Sequence, residues 1–166
     1  PAKKVINKNR YVKISTSNNS AGPVGPWCLG FSDVHKISKV YGSSNGTYTT
    51  AGVDITNQFV FGTGQRDTHY DLAYLYPQSS YSPSTNPYLL VQLAYFTTPT
   101  AAGLGFYTVE SYPIDDANTA NTSAITTNEI PLYIDEAGFK TPLRDYVDFR
   151  VPSTSTANNT GAVDTT

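Results

Sequence analysis

Tyr88-Leu89-Leu90-Val91-Gln92-Leu93-Ala94-Tyr95-Phe96 is the stretch whose reading decides the fold class. Successive side chains of a strand point to opposite faces, so Leu89, Val91, Leu93 and Tyr95 share one face. Leu90 and Phe96 take the other. Apolar groups on both faces predict a central strand covered on both sides. A helix would need a 3.6-residue period, and no stretch of twelve residues sustains one.

Working outward, further period-two runs appear. Residues 11–15 send Val12 and Ile14 to one side, and residues 53–61 put Val53, Ile55, Phe59 and Phe61 on one face. Residues 106–112 read as a short aromatic strand, and 34–41 and 72–76 as weaker strands. Turn signals lie at 43–46, 62–64, 77–87 and 101–103, and Asn45-Gly46 has the chemistry of a hairpin turn. About seven short strands with frequent turns predict an all-β fold, an antiparallel β-sandwich of immunoglobulin or fibronectin-III type. Two long loops, 77–87 and 113–129, interrupt it and are expected to be interaction surfaces. The expected organisation is an N-terminal arm with leading strands over 1–28, the sandwich over 29–152, and a polar C-terminal arm or linker over 153–166. The last of these is almost devoid of large apolar residues.

Composition narrows the function classes. Charged residues are 14% of the chain, Tyr occurs 13 times, and the net charge is −2. That is well below the roughly 25% charge of an average soluble domain. It leaves no electrostatic footprint for nucleic acid. No window approaches the ~18 apolar residues of a membrane span. Cys28 is the one cysteine, so neither an internal disulfide nor a multi-cysteine metal site can form, and its apolar setting suits a small buried hydrophobe. The chain has no Met and begins at Pro1, which predicts a piece of a longer polypeptide or a processed product.

Two charged motifs stand out in this charge-poor background: Gly64-Gln65-Arg66-Asp67-Thr68-His69-Tyr70-Asp71 and Leu143-Arg144-Asp145-Tyr146-Val147-Asp148-Phe149-Arg150. Paired carboxylates can do acid–base work on glycosides, with Asp67, Asp71 or Asp148 as the candidates, or bind Ca²⁺ where oxygens converge. Arg–carboxylate pairs more often hold loops in register. Arg66, Asp67, Asp71, Arg144, Asp145, Asp148 and Arg150 are therefore structural ion-pair candidates. No catalytic residue, cofactor or metal site is assigned. Trp27, Tyr76, Tyr81 and Tyr88 are candidates for a glycan platform or a protein interface, both of which use aromatic rings.

The order of these motifs with Leu29-Gly30-Phe31-Ser32-Asp33-Val34, Phe106-Tyr107-Thr108-Val109-Glu110-Ser111-Tyr112 and Glu129-Ile130-Pro131 resembles a domain of uncharacterised function in large virion proteins. Those proteins belong to contractile-tailed phages, the T-even-like phages and cyanophages, and are associated with tail, baseplate or tail fibre. The resemblance covers about residues 29–152. It implies a structural, non-enzymatic role in the virion, with other virion proteins as partners in a homo-oligomer or hetero-assembly. It also implies that Arg66, Asp67, Asp71, Arg144, Asp145 and Asp148 form a shared polar framework. Binding of a host surface glycan is the alternative, and glycan degradation the weaker one.

Overall fold

The computed structural model describes residues 1–17, 22–101, 103–118, 120–153 and 162–164. The arm expected over 153–166 lies outside them except for 153 and 162–164, as do residue 102 of the turn at 101–103 and residue 119 of the loop at 113–129. Among the described residues twelve strands run in the order β1 (Val5–Ser15), β2 (Trp27–Ser32), β3 (Val34–Ser43), β4 (Val53–Asp54), β5 (Phe59–Gly62) and β6 (His69–Tyr70). They continue with β7 (Leu72–Pro77), β8 (Tyr88–Thr97), β9 (Leu132–Ile134), β10 (Lys140–Pro142), β11 (Val151–Pro152) and β12 (Ala162–Asp164). The only helical elements among the described residues are single 3₁₀ turns.

The large sheet has the order β12-β1-β8-β3-β4, and the small one β2-β7-β5. All pairs in both are antiparallel. The chain is thus an all-β sandwich with β8 in the middle of the large sheet. Between the sheets lie Val12, Ile14, Trp27, Leu29, Val40, Leu75, Leu89, Val91 and Leu93. The strand order does not confirm the immunoglobulin or fibronectin-III type. An immunoglobulin domain keeps its first two strands in one sheet, whereas β1 and β2 lie in different sheets.

Several expectations shift at this level. Within residues 1–28, β1 pairs along β8 from Val5↔Thr97 to Ser15↔Tyr88, and Trp27 at the start of β2 is fully buried. The run at 53–61 is not one strand. A 3₁₀ turn at Thr56–Gln58 breaks it, leaving Val53 exposed while Ile55 and Phe59 are buried. The strand expected at 106–112 is a bridging residue, Tyr107, followed by a 3₁₀ turn at Val109–Ser111. Thr108 and Ser111 cap that turn reciprocally, and the Thr108 N–H donates to Ser111 Oγ at 2.9 Å. Gly46 does take a positive φ of 81°, but β3 and β4 pair at Gly42↔Val53, so the connection is longer than a two-residue turn.

Both long loops pack back onto the sandwich. Loop 77–87 folds back so that Tyr81 packs edge-on to Trp27 at 5.8 Å and donates its hydroxyl proton to the Asn86 carbonyl at 2.7 Å. It plugs one part of the sandwich. Loop 113–129 belongs to a third layer on the outer face of the large sheet. There Tyr112, Ile125, Ile130 and Leu143 pack on Ile6, Ala94 and Phe96. Asp115 and Asp116 tie this loop together, accepting from Asn118 N, Asn121 Nδ2, Thr127 N and Thr127 Oγ1. Backbone groups outside a ladder need such partners.

β1 serves both cores through one irregularity. Ala2, Lys4 and Ile6 are buried against the third layer, yet Val12 and Ile14, of the same parity, face the sandwich core. Between them the register shifts by one residue, from Asn7↔Tyr95 to Arg10↔Leu93, and Asn9 takes a φ of 58°. An inserted residue reverses the facing of all that follow.

Candidate functional site

Where the large sheet meets the third layer, the chain buries charge. Arg150 and Asp148 form a two-pronged pair, with Nε to Oδ1 at 3.0 Å and Nη2 to Oδ2 at 3.1 Å. The Arg150 N–H donates to Oδ1 as well, and the Tyr70 hydroxyl donates to Oδ2. Arg150 Nη1 reaches the Arg66 carbonyl and Gln65 Oε1 at 3.2 and 3.3 Å. Its guanidinium lies 4.5 Å from the Tyr70 ring centre and 4.7 Å from that of Tyr133. The two sequence motifs therefore meet, through Tyr70 of the first and Asp148 and Arg150 of the second. A parallel bridge between β6 and β11 holds them in register.

On the other side of Tyr70 lies a second pair that sequence reasoning did not single out. Lys4 Nζ and Asp33 Oδ2 are 2.6 Å apart, and their side chains are 0% and 4% exposed. Rings of Tyr107, Tyr70, Tyr112 and Phe96 surround Nζ at 4.3, 4.4, 5.1 and 5.4 Å. Asp33 is the single residue between β2 and β3, at a φ of 53°, a conformation Asp tolerates better than most residues. One signal pointed to Lys4: the alternation of Ala2, Lys4 and Ile6 puts the lysine on an inward face.

Electrostatics separate the carboxylates. Burial pushes Asp33 up, and Lys4 only partly pulls it back. At Asp148 burial acts the same way, but the hydrogen bonds from Arg150 and Tyr70 outweigh it and the carboxyl is held low. Arg150 loses by burial and gains more from Asp148, so it stays firmly charged. Burial pushes the Tyr70 and Tyr112 phenols far up.

The remaining expected residues are scattered. Asp67 accepts from the Tyr133 hydroxyl. Asp71 accepts from the Leu72 N–H at 2.8 Å and lies 3.7 Å from the exposed Arg66. Arg144 and Asp145 are sequence neighbours 3.7 Å apart on the surface. Trp27 and Tyr81 belong to the sandwich core. They cannot present a face to a glycan, so this set is corrected to Tyr76, which is exposed, and Tyr88, half-buried against Tyr48. An open cleft of about 590 Å³ runs beside the polar cluster, lined by Asp67, Thr68, Tyr133, Tyr146, Phe149 and Arg150 among others.

Chemically, Asp148 has both oxygens engaged and is held ionised, the reverse of the raised carboxyl that a general acid requires. Among the described residues no group of three or more His, Cys, Asp or Glu is arranged to hold a metal ion. No helix among them is long and apolar enough to cross a membrane. Fold and site together define a β-sandwich module with a charged framework sealed beneath a loop-built layer. No protein-family model, curated protein or solved structure matches the chain.

Proposed function

We propose that this chain is a structural module of a tailed-phage particle, joining tail, baseplate or fibre parts by protein–protein contact. The observation that carries the reading is where apolar surface is left uncovered. Of the fourteen large hydrophobic side chains exposed among the described residues, seven lie between residues 132 and 151. Phe139 and Phe149 are each 72% exposed there. Tyr146, Val147 and Phe149 of these seven line one open cleft, and exposed apolar surface gathered in one place marks contact sites. With charge at 14% of residues, the surface suits burial against a neutral protein partner. The ordered pair of Arg-Asp motifs, and the resemblance it carries, supplies the phage setting.

The test is composition of the particle. Phage particles banded in a density gradient are digested and searched for peptides of this chain. Their presence at constant stoichiometry through a second banding, with loss on Phe149→Asp, is the expected result. A chain abundant in infected cells and absent from banded particles overturns the reading.

A further inference from the structure

Lys4 and Asp33 are placed for more than an ion pair. Within the described residues, the carboxylate accepts one side-chain hydrogen bond, from Lys4, and the Lys4 ammonium has one acceptor for its three N–H groups. Aromatic rings occupy the rest of its surroundings. Burying two charges in such a site is costly. Passing one proton along the 2.6 Å hydrogen bond turns them into a neutral amine and a neutral carboxylic acid. The upward push of burial on Asp33 acts in the same direction.

A neutral amine is a nucleophile, and a neutral carboxylic acid is the form of Asp that can acylate it. We infer that Lys4 and Asp33 condense into an intramolecular isopeptide bond. The Nζ lone pair attacks Cγ of Asp33, forming the N–C bond. A proton leaves the nitrogen for the departing hydroxyl along the contact already present. The Cγ–O bond then breaks, and one water is released. No oxidant, reductant or activating group is needed. Holding the two partners in contact replaces the entropy loss of a bimolecular encounter, an advantage that reaches effective molarities of about 10⁵ M or more. The product is an uncharged amide, so the aromatic site no longer holds two buried charges.

The bond would join the residue leading into β1 to the corner between β2 and β3, spanning 29 residues of sequence. It would fasten the N-terminal segment to both sheets at once, since β1 belongs to the large sheet and β2 to the small one. Force applied to the N-terminus would meet a covalent bond before it reached the β1–β8 ladder. The inference does not depend on the proposed phage setting.

Intact mass under denaturing conditions tests it on the full chain as purified. The folded state is verified beforehand by near-ultraviolet circular dichroism of the buried Trp27 and Tyr residues. The expected mass is one water below that of the sequence, and digestion yields a branched peptide carrying both Lys4 and Asp33. Lys4→Arg keeps the charge but stays at its full sequence mass. Asp33→Asn keeps the geometry and loses one ammonia instead. Folded wild-type protein that retains its full mass after prolonged incubation overturns the inference. So does a loss of water that persists in Lys4→Arg, or a cross-link that maps to another pair.

Discussion

On one face of β8, Leu89, Val91 and Leu93 meet Trp27, Leu29 and Leu75 from the small sheet. On the other, Ala94 and Phe96 meet Tyr112, Ile125, Ile130 and Leu143, which sit on turns and loops. The first interface is sheet on sheet, with backbone groups paired in ladders, so apolar area and shape are all it requires. The second has few ladders. Its backbone is satisfied by side chains such as Asp115, Asp116, Ser111 and Asp148, and it surrounds the two buried ion pairs. One face therefore rests on bulk and the other on particular partners, and substitutions separate the two.

The largest effect is expected on the bulk-held face. Trp27→Ala leaves a cavity where Phe59 and Tyr81 now pack edge-on, and should lower unfolding stability by about 4 kcal/mol in urea titration. Leu93→Met, which conserves volume, should cost less than about 1.5 kcal/mol. Equal costs for the two would show that the sandwich core is not close-packed.

The partner-held face breaks differently. Asp148→Ala strands the Arg150 guanidinium and the Tyr70 hydroxyl and should cost about 3 kcal/mol. Asp148→Leu combined with Arg150→Met removes both charges and should cost less than Asp148→Ala alone. A double variant as costly as the two single losses together would mean that the pair acts through shape rather than charge.

His35 extends the comparison to pH. Its ring lies tilted against Phe96 at 5.3 Å, and among the described residues neither of its buried ring nitrogens has a hydrogen-bond partner. Burial, then the nearby Lys36 and Lys8, lower its pKa from 6.5 to about 4 against the opposing pull of Glu129. The unfolded chain takes up the proton first as pH falls. The stability that depends on neutral His35 is thus present above pH 6.5 and lost towards pH 4. The loss should reach about 2 kcal/mol, and His35→Phe should flatten it. The window is distinct from that of Glu129, which the Thr126 N–H and then Lys36 hold at about 2. A wild-type profile that is flat from pH 6.5 to 4 would remove His35 from the account.

Much of this contrast was legible in the sequence on one side only. β8 was readable because both of its faces are apolar. β1 was half-read, since the extra residue at Asn9 reverses which parity points inward. β3 reads weakly because its pairing with β8 shifts twice, between Val34 and Lys36 and between Ile37 and Lys39. The third layer read as a short strand and a long loop because 3₁₀ turns with reciprocal caps leave no period to detect. The Asp148–Arg150 pair was visible as neighbours in a charged motif. Its contact with Tyr70, 78 positions away, and the Lys4–Asp33 pair, 29 positions apart, are products of tertiary packing.

Within the first charged motif the same contrast recurs in miniature. Gly64 takes a φ of +76°, and a Cβ there would come within 2.3 Å of the Asp71 carbonyl oxygen, a backbone atom that cannot move aside. Gly64→Ala should therefore cost about 1.5 kcal/mol. Arg66, two residues on, is 61% exposed and lies 3.7 Å from Asp71, beyond hydrogen-bonding distance. An exposed pair of that geometry is screened by water and salt and opposed by the entropy of two side chains. Arg66→Ala should change stability by less than about 0.5 kcal/mol, with no added dependence on salt. The carbonyl of Arg66, which receives Arg150, survives that substitution intact. If Arg66→Ala costs as much as Gly64→Ala, the motif works through its exposed charge. If only Gly64→Ala is costly, the motif matters for the backbone path that brings Tyr70 and the Arg66 carbonyl to Arg150.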